Sequence, residues 1–274
     1  MITIVTDSSA YLKKDEAKSL GVCVIPIQYM ANGKSHQESF SDQNEDMEQL
    51  LKNNENNTTA HPNMTAFLGC FEEELEKNRA VLCMTMSSRL SGTYSSAYMA
   101  AKQIGSEKIM VFDSQLIAGG LYLLINEARK LMNGGASLLE VFQQLPAIRE
   151  RISIRFSVDD MVPLRKSGRI GFVRMSVGTI LNRKPILICK DGAVVSDGVA
   201  QGETEIMKRL LAKIQHNTQE AVISYVGENH MATNLYHVIK KTMPHTNVTL
   251  QKIGPVLGIH LGLKVIAVSA IATD

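Results

Sequence analysis

The sequence carries almost no net charge. Its 29 basic and 27 acidic residues leave a formal net charge of +2 at neutral pH. Because no segment is strongly basic and no stripe of Lys and Arg is present, the sequence lacks the electrostatic signature of a nucleic-acid-binding protein. We therefore expect no nucleic acid among its partners.

Cysteines are few, and no two of them form a motif. Each lies in an apolar or amphipathic run, without a C-x-x-C pair; they are Cys23, Cys70, Cys83 and Cys189. This pattern favours buried free thiols in a reducing cytoplasm over disulfides or a zinc site. No set of His, Asp and Glu residues shows ligand spacing either, so we predict no metal site.

The usual motifs of nucleotide and ester chemistry are also missing. The chain has neither a G-x-x-x-x-G-K-[ST] loop nor a G-x-G-x-x-G turn, and it has no G-x-S-x-G nucleophile elbow. We therefore predict that the protein needs no cofactor.

No targeting or membrane-spanning segment is predicted. Residues 1–12, MITIVTDSSAYL, lack a basic start and reach an aspartate by position 7. The least polar stretch, residues 253–272, has the length of a membrane span but contains His260, Lys264 and glycines. We interpret it as a Gly-rich turn followed by a strand, and we expect a cytoplasmic protein.

The first part of the 274-residue chain alternates between strand and helix patterns, which predicts an α/β fold with a mostly parallel sheet flanked by helices. The predicted strands cover residues 2–6, 22–30, 80–86 and 108–114. The predicted helices cover residues 13–20, 40–53, 64–77, 93–103, 117–132 and 137–150, and a polar loop covers residues 53–63.

The second part differs and predicts a smaller α/β unit with a mixed sheet. It begins with a strand and a basic loop over residues 152–171, followed by a hairpin at 185–198. Helices at 203–216 and 230–242 then alternate with strands at 221–226, 247–253 and 264–271. We predict two domains, 1–150 and 151–274.

The stretch MSSRLSGTYSS (86–96) holds seven hydroxyl side chains in eleven residues and follows the apolar run AVLCMTM (80–86). A helix start exposes unpaired N–H groups and the positive end of the helix dipole. At such a helix start, Ser91 and Thr93 would add two hydroxyls, and Gly92 would let a ligand approach the backbone closely. This combination predicts an anion site. Other loops with hydroxyls, at 6–9 and 113–114, follow strands of the same sheet and are expected near it.

The residues of this turn favour one class of anion but also allow two alternatives to an anion site. Arg89 is its only cation, so a single carboxylate or phosphate monoester fits better than a triphosphate. Ser and Thr are also the commonest helix N-caps, so a purely structural role is the alternative. A second alternative is a serine hydrolase or acyl transferase with Ser91 as the nucleophile and His260 as the base.

Several segments, in this order, carry a resemblance to a known family. They are TDSSA (6–10), the T-x-x-P segment at 59–62, SSRLSGTYSSA (87–97), FDS (112–114), LRKSGRI (164–170), KPIL (184–187) and IGPVLGIHLG (253–262). The set spans the chain and resembles the DegV family. Differences from the family pattern stand at Ala60, His61, Ser167, Ile259, Leu261 and Lys264.

The resemblance implies a two-domain protein that binds a long-chain fatty acid without catalysing a reaction. The acyl tail would lie in an apolar tunnel between the domains, and fourteen methionines suit a flexible chain. By position, the carboxylate contacts implied are Thr59, Ser91, Gly92, Thr93 and His260.

The resemblance also implies a partner. In bacteria that have a fatty acid kinase, such proteins present the acid to a dihydroxyacetone-kinase-like subunit, and Arg165 and Arg169 are the residues we expect to contact it. A regulatory module with the fatty acid as effector would share the pocket and differ only in its partners.

Overall fold

A computed structural model describes residues 1–44, 50, 57–170, 183–214, 216–227 and 229–272. The first part of the chain forms a four-stranded, wholly parallel sheet with the strand order β2-β1-β6-β7. Its strands are β1 (Ile2–Asp7), β2 (Val22–Ile25), β6 (Ala80–Thr85) and β7 (Ile109–Asp113). The parallel sheet predicted from the strand–helix alternation is confirmed.

The second part of the chain forms a six-stranded mixed sheet with the order β10-β9-β8-β13-β11-β12. Strands β11 and β12 run parallel, and the other neighbours are antiparallel. The strands are β8 (Ile152–Val158), β9 (Arg183–Lys190), β10 (Ala193–Gln201), β11 (Thr218–Tyr225), β12 (Asn247–Lys252) and β13 (Val265–Ala272). The predicted mixed sheet and hairpin are therefore confirmed, whereas the domain boundary near residue 150 stays a prediction.

A third, antiparallel sheet corrects two predictions. It has the order β4-β3-β5 and consists of β3 (Ile27–Ala31), β4 (Lys34–Glu38) and β5 (Thr58–Ala60). The single strand predicted over residues 22–30 divides at Pro26, which has no N–H to donate to a sheet. Residues 58–60, predicted as loop, form an edge strand in which Thr59 lies opposite Tyr29.

Nine α-helices lie within the described residues. They are α1 (Lys14–Ser19), α2 (Met64–Glu76), α3 (Thr93–Ile104), α4 (Gly119–Asn133), α5 (Leu138–Glu150), α6 (Val162–Lys166), α7 (Gly202–Leu210), α8 (His230–Thr242) and α9 (Pro255–Leu261). The helix predicted over 40–53 lies largely outside the described residues.

The Gly-rich turn predicted after residue 253 is wrong, because residues 255–261 form helix α9. Its first residue is Pro255. Proline suits the first position of a helix because its ring fixes a helical φ angle, and because the N–H that it lacks would have no partner within the helix. The basic loop predicted after β8 likewise contains the short helix α6. Both helices matter for function because they carry or flank the basic and imidazole side chains of the candidate site.

Helices α4 and α5 form a layer between the two large sheets. Helix α4 packs across β8, β11 and β13 and also contacts β6, and α5 contacts β6, β7 and β8. Residues 119–125 of α4 are all buried. One continuous apolar cluster therefore includes side chains from both parts of the chain, among them Leu82, Leu124 and Ile154.

The start of α4 approaches the mixed sheet so closely that a side chain would not fit. A Cβ at Gly119 would lie 2.9 Å from Ser269 Oγ and 2.9 Å from both Val222 Cβ and Val222 Cγ1. Real Cβ atoms are essentially never in such contacts, and Val222 Cβ cannot move without its strand. This glycine is required by packing rather than by a turn.

We expect Gly119→Ala to lower the free energy of unfolding by about 1–3 kcal/mol, because it overpacks a close contact between α4 and the sheet. The matched control is Gly69→Ala in α2, where a Cβ would meet no atom within 4 Å. That variant should gain about 0.5–1 kcal/mol from helix propensity. Urea denaturation of both variants checks this, and a Gly119→Ala protein as stable as wild type would contradict the packing argument.

Candidate functional site

A largely apolar cavity lies among the small sheet, helix α9 and the mixed sheet. Its volume is about 120 Å³ when measured as the space open to the centres of water-sized molecules, and about 1040 Å³ when all space between its walls and in its open mouth is counted. Aliphatic and aromatic side chains make up most of its walls, among them Met86, Leu90, Ile154, Phe156, Leu257 and Val265. Concave, mostly apolar spaces with a few convergent polar groups are the usual form of small-molecule binding sites.

The polar groups at this cavity come from three places that are far apart in the sequence. Thr59 lies on β5, Ser91 and Gly92 lie in the turn between β6 and α3, and His260 lies on α9; all four line the cavity. Parallel strands end at one edge of a sheet, which explains why the turn after β6 reaches the ligand-binding face. The position of Thr59 depends instead on its pairing with β3.

A hydrogen bond of 2.7 Å joins Thr59 Oγ1 to His260 Nε2 across 201 positions of sequence. Burial, and to a lesser degree the nearby Arg169, lowers the pKa of His260 to about 4. The imidazole is therefore neutral at neutral pH. With its proton on Nε2, the ring donates to Thr59, whose own hydroxyl proton is then available to an anion.

The hydroxyl turn is organised by internal contacts. Ser91 Oγ lies 2.9 Å from Thr93 Oγ1, and it also accepts from the Thr93 N–H at 3.4 Å. Thr93 is completely buried and is not a cavity wall residue. Of the two predicted hydroxyls, Ser91 thus faces the cavity, and Thr93 orients Ser91 from behind.

Sequence reasoning missed His61 as a site residue. Its ring lines the cavity and covers Gly92, such that a Cβ on Gly92 would lie 2.9 Å from His61 Cε1 and Nε2. The absence of a side chain at Gly92 is therefore what lets His61 close over the turn. The signal available in the sequence was its place two residues after Thr59 and directly before Pro62.

The other two hydroxyl loops are structural and do not reach the cavity. Asp7 is fully buried and accepts from Ser9 N–H, Ser9 Oγ and Met86 N–H, and burial raises its pKa. Ser114 is also buried and caps its own turn by accepting from Leu116 N–H. Both loops lie next to the 87–93 turn, as expected. The Met86 N–H donates to Asp7, and Ser88 donates to Asp113 through its N–H and its hydroxyl. Neither loop lines the cavity.

The two residues predicted to contact a partner protein, Arg165 and Arg169, lie in different surroundings. Arg169 lines the cavity and also a wider, more polar cleft outside it, which shares Thr59 and His260 with the cavity. Arg169 is the one Arg, Lys, Asp or Glu side chain among the described cavity walls. Arg165 is exposed and lines neither space.

Helix α9 is held in place by a buried carboxyl group that sequence reasoning also missed. Glu38 Oε2 accepts from the Val256 N–H at 2.9 Å, and Tyr11 Oη accepts from the Leu257 N–H at 3.2 Å. Glu38 is 1 % exposed, and this burial raises its pKa to about 8. Since α9 carries His260, these two contacts position the imidazole at the cavity.

The geometry does not favour a serine nucleophile. Within the described residues the hydrogen-bond partner of His260 is Thr59, and the side-chain partner of Ser91 is Thr93. A nucleophile and its base need a direct hydrogen bond, and the base needs a third group to orient it. His260 and Ser91 line one cavity, but they do not form that arrangement.

Metal-ligating clusters and membrane-spanning helices are both absent from the described part of the chain. No group of three or more His, Cys, Asp or Glu side chains there is arranged to hold a metal ion. None of its helices is both long and apolar enough to cross a bilayer.

Comparison with known proteins identifies the family. A family model for DegV proteins, described as uncharacterised, matches residues 1–273. A DegV domain-containing protein of Halalkalibacterium halodurans is 30 % identical over 268 residues, which cover 95 % of each chain. The chain therefore belongs to the DegV family, and the resemblance predicted from its motifs is confirmed.

Solved structures of the same family share the fold. A DegV family protein from Thermus thermophilus, for which fatty acid binding is described, superimposes with a TM-score of 0.90 at 29 % identity, with 99 % of both chains covered. DegV from Bacillus subtilis, described as a fatty acid binding protein, gives a TM-score of 0.87 at 25 % identity with the same coverage. The predicted α/β fold class is thereby confirmed.

The raised pKa of Glu38 predicts a pH-dependent stability. Its folded-state pKa of about 8 lies above the ordinary value of 4.5, so the folded protein binds the extra proton between these values. The resulting advantage of the folded state over the unfolded state is full below about pH 4.5 and is lost as the pH rises through 8, which lowers the free energy of unfolding by on the order of 5 kcal/mol. Glu38→Gln should remove this loss, because the amide stays neutral.

The measurement is the free energy of unfolding of both proteins between pH 4.5 and 9, taken as a difference so that contributions of other groups cancel. Glu72→Gln, on an exposed part of α2, is the control and should follow the wild-type profile. A wild-type and Glu38→Gln difference that is flat with pH would contradict a neutral Glu38.

Proposed function

We propose that this protein binds a long-chain fatty acid, with the carboxylate at Thr59 and Ser91 and the acyl tail in the apolar cavity. The observation that carries the proposal is one cavity whose walls are mostly apolar and whose few polar groups include the hydroxyls of Thr59 and Ser91 beside the neutral His260 imidazole. The fatty acid binding described for the relatives from Thermus thermophilus and Bacillus subtilis supports it.

The mouth suits a carboxylate because a buried anion needs hydrogen bonds more than it needs a countercharge in direct contact. An unpaired carboxylate in an apolar space is strongly disfavoured, and hydroxyl donors offset that cost. Ser91 and Thr59 supply two such donors, whereas the space beside Gly92 is taken by the His61 ring. Arg169, at the outer wall, adds a favourable long-range field without occupying the headgroup position.

The tail accounts for most of the affinity in this proposal. Each buried methylene contributes about 0.8 kcal/mol, so a long chain gains far more than two hydrogen bonds can supply. The hydroxyl groups then fix the orientation of the ligand. Non-catalytic binding agrees with the absence of a hydrogen bond between Ser91 and His260 in the described residues.

Removal of the hydroxyl donors tests the headgroup site. Ser91→Ala and Thr59→Val should each weaken palmitate or oleate binding about tenfold to a hundredfold, because each removes one hydrogen bond to a charged group. Ser95→Ala, which removes an exposed hydroxyl one turn further along α3, is the matched control and should bind as wild type does. Calorimetric titration of delipidated protein measures all three.

Two results would overturn this function. One is a native mass spectrum of gently purified protein without any co-purifying lipid, together with no measurable binding of palmitate and oleate. The other is covalent labelling of Ser91 by a fluorophosphonate, which would instead favour the hydrolase or acyl transferase.

We further propose that the protein presents the acid to a dihydroxyacetone-kinase-like fatty acid kinase subunit, which converts the carboxylate to an acyl phosphate. Arg169 supports this because it lines both the cavity and the outer cleft, next to the proposed carboxylate position. A guanidinium at that point suits a phosphoryl group that approaches from the cleft. Arg165 is the second residue that we expect to face the partner.

With such a kinase subunit, ATP and saturating fatty acid, Arg169→Ala should lower acyl phosphate formation at least tenfold, because a phosphate contact is lost. Arg165→Ala removes an equal charge from the same segment without touching the cleft, and its effect should be only a few-fold. Acyl phosphate is trapped as the hydroxamate and counted. Equal losses in both variants would show that the charge of the segment matters and the position of Arg169 does not.

A further inference from the structure

Two of the cysteines lie side by side outside the fatty acid site. Cys23 lies on β2 and Cys70 on α2, and their sulfur atoms are 3.0 Å apart. A disulfide bond measures about 2.05 Å, so closure needs an approach of only about 1 Å. Sequence reasoning predicted four buried, unrelated thiols, whereas Cys83 alone is fully buried and the other three are partly exposed.

The surroundings make the members of this pair unequal. A hydrogen bond from Cys70 lowers the pKa of Cys23, and the same bond raises the pKa of Cys70. Lys77 favours the Cys23 thiolate further, while Glu73 and Glu74 oppose it. A thiolate is the reactive form of cysteine, so Cys23 is the nucleophile of the pair.

The remaining two cysteines lack these properties. Burial raises the pKa of Cys83 well above its usual value and that of Cys189 to about 12. Cys189 also belongs to the wall of the fatty acid cavity and donates to the Gln115 carbonyl. A neighbouring sulfur at 3.0 Å and partial exposure therefore coincide only at Cys23 and Cys70 among the four cysteines.

We propose that Cys23 and Cys70 form a reversible disulfide by exchange with a small-molecule disulfide. The Cys23 thiolate attacks one sulfur of the small molecule and expels its other half as a thiolate. Cys70 then loses its proton and attacks Cys23 sulfur, which releases the second half. Two protein thiols are oxidised, and one small disulfide is reduced to two thiols.

The cross-link would enclose the proposed carboxylate strand. The chain between Cys23 and Cys70 contains β3, β4 and β5, and hence Thr59. A bond between its ends restricts the unfolded chain and ties this small sheet to the parallel sheet through β2 and α2. The oxidised protein is therefore more stable than the reduced one, and its Thr59 strand is less free to separate.

The test treats the full chain with oxidised glutathione, blocks the remaining thiols with N-ethylmaleimide in denaturant, so that the buried Cys83 also reacts, and measures the intact and peptide masses. We expect two blocked thiols, a peptide that links Cys23 to Cys70, and a thermal midpoint higher by roughly 5–10 °C. Dithiothreitol should reverse all three changes. Cys189→Ala is the control and should still form the link, whereas Cys23→Ser and Cys70→Ser should not.

Four thiols blocked in denaturant after glutathione treatment, in a protein whose circular dichroism spectrum was native before denaturation, would overturn the proposal. A stable glutathione adduct on Cys23 without closure to Cys70 would also overturn it, because the second exchange step would have failed. If the linked peptide forms but the thermal midpoint does not rise, the structural consequence drawn for the Thr59 strand is wrong.

Discussion

The candidate site depends on the hydrogen bond between Thr59 and His260. Thr59 lies on a short edge strand, and His260 lies on helix α9, so this 2.7 Å contact joins two elements that are far apart in the sequence at one wall of the cavity. Burial keeps the imidazole neutral, with a pKa of about 4. A neutral ring can donate to Thr59 without placing a second full charge in an apolar space, where it would be costly.

The buried polar groups divide into two sets with different tasks. Asp7, Glu38 and Tyr11 are almost fully enclosed, and they accept backbone N–H groups at the turn after β6 and at the start of α9. These contacts hold the two segments that carry Ser91 and His260. The side chains at the cavity, in contrast, are free to hydrogen-bond the proposed ligand, because the enclosed residues already hold the backbone of the two segments in place.

A considerable part of the fold could be predicted because strands and helices each have a characteristic local pattern of apolar residues in the sequence. The strand–helix alternation follows from hydrophobic periodicity, and the break at Pro26 shows where that reasoning was too coarse. Residues 58–60 and 255–261 were misassigned for a different reason. The edge strand is polar and exists through its pairing with β3. Helix α9 contains Gly258, whose low helix propensity is offset by burial against the core.

The sequence by itself determined the class of fold and, through its ordered motifs, the family. Local chemistry at a strand–helix turn predicted an anion site at Ser91, Gly92 and Thr93. Thr59 and His260 were predicted only from the family resemblance. The sequence did not determine that Thr93 would support Ser91 or that His61 would cover Gly92. It also did not determine that Glu38 would hold α9 in place, or that the sulfur of Cys23 would lie next to that of Cys70. Those relations join residues that are distant along the chain or lie on opposite sides of a turn. Only the packing of sheets and helices decides which side chains meet, and so only the tertiary structure separates ligand contacts from supporting ones.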